Sequence, residues 1–294
     1  MNYYEEIKKE LIDNEIYKRV KDYSKNRSDL NTYYNVGKLL YEAGKHYGER
    51  IIKNYSIKLT NELGKGYNTT SLKRMRQFYL LVEKGAAMRH QLYWNHYKEL
   101  LGLENINKIN YYIDISVQQN LSYRQLHEKI KSNEYERLDE NTKNKLVTKE
   151  KTEVNDFIKN PILIKNKKIS EDISEKILKQ LILEDIESFM KELGNGFCFI
   201  GSEYKIKIGD RYNYIDLLLY NIIFNCYVVI ELKVTELKKE HIGQIETYMN
   251  YIDKNIKIIN QDKTIGIIIV KKENKFIMEY CSDERIFTRK YQLN

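Results

Sequence analysis

Three charged residues, Asp216, Glu231 and Lys233, lie inside two strongly apolar segments of this 294-residue sequence. Apolar residues flank Asp216 on both sides, and Glu231 directly follows a Val-Val-Ile run. An isolated buried carboxylate is energetically costly, and a bound divalent cation removes that cost. The pattern indicates a metal site, or else a strand-end Asp and a Glu–Lys pair on a solvated surface.

Two predicted hairpins would bring these residues into one row. A turn at Gly209-Asp210 would place Glu203 opposite Asp216, and the following loop would place Asp216 opposite Glu231. Side chains directly opposite in antiparallel strands share a face, with Cβ atoms about 5 Å apart. Lys233 lies two residues beyond Glu231 and therefore shares its face.

Two facing carboxylates and a lysine can support hydrolysis of a phosphodiester bond. Mg²⁺ prefers one or two protein carboxylates and keeps waters that a substrate phosphate can replace; we expect Mn²⁺ to substitute for it. The ion would stabilise charge on the phosphate, while Lys233 would hold or deprotonate the attacking water. The expected activity of such a site is Mg²⁺-dependent hydrolysis of a phosphate ester.

The elements that must position this row lie in the second half of the chain. Apolar spacing and turn residues predict a helix at Ser170–Leu193 that stops at Gly194-Asn195-Gly196, strands at Phe197–Ile208, Tyr212–Tyr220 and Asn225–Val234, a helix near Glu236–Asp253, and a strand at Ile265–Val270. Three antiparallel strands followed by a helical crossover to a fourth make a mixed α/β sheet, and we expect the crossover to be right-handed.

The first half has helical spacing of apolar residues almost throughout. Helices are predicted at Tyr4–Tyr23, Asp29–Leu63, Ser71–Lys84, Arg89–Leu101, Ile106–Gln119 and Tyr123–Lys131. The polar stretch Ser132–Lys151 follows, so we expect two domains, 1–150 and 151–294. Residues 1–150 carry 27 Lys and Arg against 20 Asp and Glu, whereas 151–294 carry 23 against 22. A basic domain suits a polyanionic partner, although a Lys-rich genome would raise the same background.

Composition excludes several classes of protein. With 42% hydrophobic and 31% charged residues the chain is globular, and its apolar runs are too short for a membrane span. The acidic start is unlike a signal peptide, so we expect a cytoplasmic protein without membrane contact. Cys198, Cys226 and Cys281 lie in apolar segments and are expected to be reduced core thiols. No P-loop or dinucleotide fingerprint is present, which leaves motor and redox functions unsupported.

Several segments resemble the YhcG-like family of the PD-(D/E)XK nuclease superfamily. In the second half they are Glu-Leu-Gly-Asn-Gly-Phe at 192–197, Tyr-Ile-Asp-Leu-Leu-Leu-Tyr at 214–220, Tyr-Val-Val-Ile-Glu-Leu-Lys at 227–233 and Gly-Gln-Ile-Glu-Thr-Tyr at 243–248; in the first half, Ser71–Tyr79, Leu92–Tyr97 and Leu121–Leu126. The resemblance implies a bacterial endonuclease that cleaves DNA. It also implies a helical N-terminal domain of winged-helix type before a restriction-endonuclease-like mixed sheet flanked by helices.

The resemblance assigns roles to individual residues. Asp216 and Glu231 correspond to the motif acids and metal ligands, and Lys233 corresponds to the motif lysine. Leu232, between Glu231 and Lys233, is a further candidate metal ligand. Gln244 and Tyr248, one turn apart on the following helix, resemble a Gln…Tyr element, with Gln244 assigned to catalysis and Tyr248 to nucleic-acid binding.

Two departures from the family pattern affect the acidic residues. Gly201-Ser202-Glu203 stands where the family usually has Gly-Arg-Gln, so Glu203 could add a third carboxylate. The superfamily often adds a Glu from the preceding helix, but this chain has Leu178-Lys179 where the family has Leu-Glu. Glu175, one turn earlier, is the candidate substitute; a solvated helix-end Glu is the simpler interpretation.

Basic residues in two regions are candidate phosphate contacts. Lys73, Arg74 and Arg76 lie near the start of a predicted helix, and Lys238 and Lys239 lie at the start of the helix that carries Gln244. In both regions a solvated face is the alternative. A homodimer, partner subunits of a defence or mobile-element complex, and RNA as substrate stay open. The rival function is an inactive nucleic-acid-binding or scaffold protein that keeps a nuclease fold.

Overall fold

The computed structural model describes residues 2–19, 25–166 and 173–294. Contacts divide the chain into two compact units, Met1–Tyr135 and Glu136–Asn294. The segment 136–150 therefore belongs to the second unit, where Thr142 and Lys145 both bond to the carboxylate of Asp156. Whether residues 1–150 and 151–294 fold independently, as the sequence predicts, stays a prediction.

The described residues of the first unit form helices and one short 3₁₀ turn. The helices are α1 (Tyr3–Arg19), α2 (Lys25–Tyr47), α3 (Arg50–Leu63), α4 (Thr69–Glu83), α5 (Trp94–Leu100), α6 (Ile106–Gln118) and α7 (Tyr123–Lys131). The single helix predicted at Asp29–Leu63 is two, because the chain turns at Gly48, whose φ of 75° favours glycine. Part of the helix predicted at Tyr4–Tyr23 lies outside the described residues.

The helical character of this unit is confirmed, but its winged-helix type is not shown. A wing is a β-hairpin, and residues 2–19 and 25–135 contain no strand. The core consists of apolar side chains spaced three and four residues apart, such as Ile7 and Leu11, Val36 and Leu40, and Leu72 and Met75.

The second unit is a six-stranded mixed sheet with helices. Its elements are α8 (Glu140–Thr148), β1 (Ile162–Ile164), α9 (Glu175–Glu184), α10 (Ile186–Leu193), β2 (Phe197–Ile208), β3 (Arg211–Asn221), β4 (Cys226–Glu236), α11 (Lys239–Asn255), β5 (Asp262–Lys272), α12 (Lys275–Glu279) and β6 (Ile286–Leu293). The strand order is β1-β6-β5-β4-β3-β2. Strands β2, β3 and β4 are antiparallel, whereas β5, β6 and β1 pair in parallel. The predicted mixed sheet and the crossover from β4 to β5 are confirmed; β1 and β6 were not predicted.

The helix predicted at Ser170–Leu193 is divided in two. Asp185 leaves the helical conformation, with φ −133° and ψ 54°, and its side chain accepts a hydrogen bond from the Ser188 N–H to cap α10. Helix α10 ends at Leu193 before Gly194, as the sequence predicts. Residues 170–172 lie outside the described part of the chain.

Helices cover both faces of the sheet around β3 and β4. Leu178 of α9 and Phe189 of α10 pack in a cluster with Leu217, Val228, Ile230 and Leu232 on one face. On the other face α11 packs with Ile215, Leu218, Val229 and Ile268, through side chains that include Ile245, Met249 and Ile252. Burial on both faces explains the continuous apolar run of β4, and it makes any charged residue within that run an exception.

The three cysteines are free. Cys226 is buried and Cys281 is half-buried, but Cys198 is exposed. The prediction of a core thiol was wrong for Cys198, because β2 is an edge strand whose side chains are largely accessible at this point. Among the described residues, no helix combines the length and the hydropathy needed to cross a bilayer.

Candidate active site

Asp216 lies on β3 where the strand loses its regular alternation. Ile215 packs in the cluster beneath α11, whereas Leu217 packs in the cluster beneath α9 and α10. Both oxygens of Asp216 have partners: the main-chain N–H of Leu232 donates to Oδ2 at 2.9 Å, and Lys179 Nζ donates to Oδ1 at 3.3 Å. The carboxylate is therefore held from β4 and from α9, and its side chain is still 21% exposed.

Glu231, on β4, is 1% exposed. Its Oε2 lies 3.4 Å from Lys233 Nζ, while its Oε1 is buried without a hydrogen-bond partner. Burial, followed by the nearby charge of Asp216, raises the pKa of Glu231 to about 7, against the lowering effect of Lys233. The carboxylate is costly in its ionised form unless a further cation reaches its free oxygen.

Lys233 completes the row at the end of the buried part of β4. Its side chain is 12% exposed, and Nζ lies 3.4 Å from Glu231 Oε2 and 3.9 Å from Glu175 Oε2. The predicted hairpin registers agree with those observed next to the site, where Ser202 pairs with Leu217 and Leu217 with Ile230. The structure thus brings Asp216, Glu231 and Lys233 together.

The other predicted acidic residues lie beside this row but are held by lysines. Glu203 has a left-handed backbone conformation, with φ of 47°, and its Oε1 accepts a hydrogen bond from Lys179 Nζ at 2.6 Å. This contact lowers the pKa of Glu203. Glu175, at the start of α9, faces Lys233. In the described part of the chain, no three acidic, His or Cys side chains are grouped as metal ligands, so the ligand roles of Glu203 and Glu175 stay predictions.

The donors of Asp216 and Glu231 fit one divalent cation. Glu231 Oε1 is a buried oxygen without a partner, and a carboxylate such as that of Asp216 has lone pairs beyond those used in its two hydrogen bonds. Leu232 can add only its main-chain carbonyl. Mg²⁺ takes few protein oxygens and leaves the rest of its coordination to water and phosphate, which this sparse set allows.

Helix α11 carries the remaining predicted residues of this domain. Gln244 Nε2 donates to Tyr248 Oη at 3.1 Å, and Tyr248 is buried in the cluster beneath α11. Lys238 and Lys239 are exposed at the start of α11, with Lys238 Nζ 3.6 Å from Glu240. These positions leave their predicted roles untested.

In the first unit, α4 presents its three basic residues differently. Lys73 and Arg74 are exposed. Arg76 is largely covered, and its Nη1 donates to Glu49 Oε1 at 2.6 Å. Lys73 and Arg74 are therefore accessible to a polyanion, whereas Arg76 already has an acidic partner.

Two residues near the row had no predicted role. Lys179 bridges Glu203 and Asp216; in the sequence it stood out only as the residue that replaces the Glu of the family pattern, one turn after Glu175 on α9. His241 is 7% exposed, and its Nδ1 accepts the Lys238 N–H at 3.2 Å. Burial, followed by the charge of Lys233, lowers the pKa of His241. The sequence did offer one indication of a role: His241 lies three residues before Gln244 and therefore on the same side of the helix.

Comparison with known families identifies the class of the second unit. Residues 155–294 match the family described as the YhcG PDDEXK nuclease domain, so this unit is a nuclease domain of the PD-(D/E)XK class. Residues 9–137 match the DUF1016 N-terminal domain. Together these matches show that the chain belongs to the YhcG-like family.

Individual relatives share low sequence identity with this chain. The chain is 24% identical to "Putative nuclease YhcG" of Escherichia coli (strain K12), over 81% of this chain and 75% of the relative. Among solved structures, a repair endonuclease from Pyrococcus abyssi matches 42% of this chain with 20% identity and a TM-score of 0.29. An EndoMS–dsDNA complex matches 42% with 21% identity and a TM-score of 0.31. The matches span about half of each of those chains, 49% and 48%.

Proposed function

We propose that this protein is a divalent-metal-dependent nuclease that hydrolyses phosphodiester bonds of DNA, with Mg²⁺ as its ion and Mn²⁺ as a substitute. The observation that carries the proposal is the buried carboxylate of Glu231, whose free Oε1 lies in a row with Asp216 and Lys233. The family match supports nuclease chemistry, and nucleases of this class generally use divalent ions. The choice of ion and of DNA is our inference from the carboxylate donors and the basic first unit.

In this proposal Asp216, Glu231 and the Leu232 carbonyl hold the ion. When bound, the ion supplies Lewis-acid stabilisation of the negative charge that develops on the phosphate. Lys233 is held beside Glu231 and so presents a positive charge at the reacting phosphate. Its ammonium either orients the attacking water or, once neutral, takes the proton of that water.

Other residues would bind and orient the nucleic acid. The hydrogen bond from Gln244 to Tyr248 fixes the Gln244 side chain, leaving its carbonyl oxygen to accept a hydrogen bond from water or substrate. Lys238 and Lys239 are exposed and can contact phosphates next to the scissile bond. In the first unit, Lys73 and Arg74 would add contacts that do not depend on sequence.

The test is cleavage of plasmid, linear duplex and single-stranded DNA, and of RNA, in Mg²⁺, in Mn²⁺ and in EDTA. We expect DNA cleavage that requires the metal and falls at least ~100-fold in Asp216→Asn. Asp210→Asn is the matched control, because Asp210 is exposed in the turn of the same hairpin.

The outcomes separate the two candidate functions. Cleavage that persists in EDTA, or that Asp216→Asn leaves unchanged, would exclude the proposed site. If the folded wild-type protein binds DNA but cleaves no nucleic acid in either metal, the inactive scaffold is favoured.

A further inference from the structure

Lys179 occupies the space between two carboxylates at the active site. Its Nζ lies 2.6 Å from Glu203 Oε1 and 3.3 Å from Asp216 Oδ1, and the side chain is 17% exposed. The lysine is thus a largely covered cation that directly contacts Asp216, one of the two carboxylates proposed to bind the metal. Sequence reasoning gave it no role.

We propose that Lys179 takes the place of a second divalent ion, so that the site holds one ion, at Asp216 and Glu231. The inference rests on the proposed function and specifies the number of ions that the site uses. The carboxylates of Asp216 and Glu203 both face Lys179, and without the lysine this pair of carboxylates would attract a cation. The ammonium of Lys179 offsets one of the two negative charges of this pair and repels a second cation that approaches it.

The arrangement of α9 supports a dedicated role for this lysine. Glu175 and Lys179 lie four residues apart and therefore on the same face of the helix. Glu175 faces the lysine of the row, Lys233, at 3.9 Å, and Lys179 faces its acid, Asp216. One face of α9 thus places a negative charge, Glu175, beside the lysine of the site and a positive charge, Lys179, beside its aspartate.

The backbone of β2 also adapts to this contact. Ser202 pairs with Leu217 and Tyr204 with Ile215, but Glu203 between them leaves the extended conformation, with φ of 47°. A left-handed conformation is costly for a residue with a Cβ. Here the residue with this conformation is the one whose carboxylate accepts the hydrogen bond of Lys179.

Space does not exclude a second ion. A cleft of about 410 Å³ lies beside Lys179 and is lined by Lys176, Lys179, Gln180, Leu183, Glu184 and Glu203. A water molecule occupies about 30 Å³ in the liquid, so a hydrated divalent ion would fit. The charge of Lys179, rather than a lack of room, would therefore set the number of ions.

The test counts Mn²⁺ bound to the full-length protein by equilibrium dialysis and by electron paramagnetic resonance of the free ion. We expect one Mn²⁺ per wild-type chain and two per chain in Lys179→Glu. In Lys179→Gln, which removes only the charge, we expect a second, weaker site. Lys176→Glu is the matched control: it makes the same change of charge on an exposed lysine of α9 that lines the cleft, and should still bind one ion.

Each outcome decides between the alternatives. Two ions in the wild-type protein would overturn the inference while leaving the proposed function intact. One ion in both folded Lys179 variants, with folding checked by circular dichroism, would also overturn it. If the wild-type protein binds no Mn²⁺, the proposed metal site itself fails, and the inference fails with it.

Discussion

Each unit of the molecule buries a glutamate, but only one of the two glutamates is fully satisfied. In the first unit Glu134 is 4% exposed, and its two oxygens accept hydrogen bonds from Tyr111 Oη at 2.9 Å and Lys129 Nζ at 2.8 Å. In the second unit Glu231 is 1% exposed, and its Oε1 has no partner. The two glutamates are buried to a similar degree, but Glu134 has hydrogen bonds to both of its oxygens and Glu231 has an oxygen without one.

The difference indicates what each glutamate is for. Removing one partner of a buried, hydrogen-bonded charge pair is strongly destabilising, because the other charge is left buried without a partner. A buried charge with a free oxygen weakens the fold unless a ligand completes it. Loss of Glu134 is therefore expected to destabilise its unit, whereas Glu231 is expected to lower stability until a ligand reaches its free oxygen.

The largest expected effect separates the two glutamates by activity. Glu231→Gln keeps the shape of the side chain but removes the charge that a metal ion requires. We expect single-turnover cleavage of DNA to fall by about 10²–10⁴-fold, as for the loss of one main electrostatic group. Glu134→Gln should leave the rate within a factor of about two. Equal losses in the two variants would mean that both act through stability alone.

Lys233→Met tests the next charge in the row. Methionine preserves much of the packing of the lysine stem and deletes the ammonium. We expect single-turnover cleavage to fall by about 10²–10³-fold, because the attacking water and the developing charge lose their help. Affinity for DNA in Ca²⁺ should change little. The reverse result, preserved cleavage with weakened affinity, would make Lys233 a phosphate contact.

Stability should change in opposite directions for the two glutamates. Without metal, Glu134→Gln should lower the free energy of unfolding by about 1–3 kcal/mol, because the new amide faces the Lys129 ammonium and a charged hydrogen bond is removed. Under the same conditions Glu231→Gln should raise it by about 3 kcal/mol at pH 8, which corresponds to the rise in the pKa of Glu231 from 4.5 to about 7. Chemical denaturation in EDTA measures both values, and a loss of stability in Glu231→Gln would contradict the comparison.

The gain in Glu231→Gln should depend on pH. The pKa of Glu231 is raised from its ordinary 4.5 to about 7 in the folded protein. Between these pH values the folded state keeps a proton that the unfolded state has released, so the wild-type protein loses stability as the pH rises through this range. The difference between wild type and variant should be small near pH 4.5 and complete above pH 7. A difference that is independent of pH would show that another group causes it.

The sequence predicted the row but not what surrounds it. The turn at Gly209-Asp210 and the loop between β3 and β4 are local signals, and together they were enough to set the strand registers on both sides of Asp216. Strands β1 and β6 were missed because β1 has three residues and pairs in parallel with a strand more than a hundred residues away. Such pairing leaves no local turn signal.

The lysine contacts of the site depend on how α9 packs on the sheet. Lys179 reaches Asp216 only because Leu178 and Ile182 seat α9 on the apolar face of β4. Spacing places Lys179 on the same helix face as Glu175 but does not say which charge it meets. Likewise, the free oxygen of Glu231 follows from burial by α11 on one face and α9 and α10 on the other, which is a tertiary effect.

The smallest expected effects are those of the basic residues of α4 on DNA affinity, where two exposed cations can be compared with one that is paired. Lys73 and Arg74 are exposed, so Lys73→Ala/Arg74→Ala should weaken DNA binding a few-fold. The slope of log affinity against log salt should become shallower by about 0.9 for each phosphate of duplex DNA that the variant no longer neutralises. Arg76→Ala should instead leave the slope unchanged and lower stability by at most about 1 kcal/mol, because Arg76 is paired with Glu49, itself largely exposed. Fluorescence anisotropy with a labelled duplex at several salt concentrations provides the measurement. An unchanged slope in the double variant would make Lys73 and Arg74 solvating charges, and would leave Lys238 and Lys239 as the next candidates for phosphate binding.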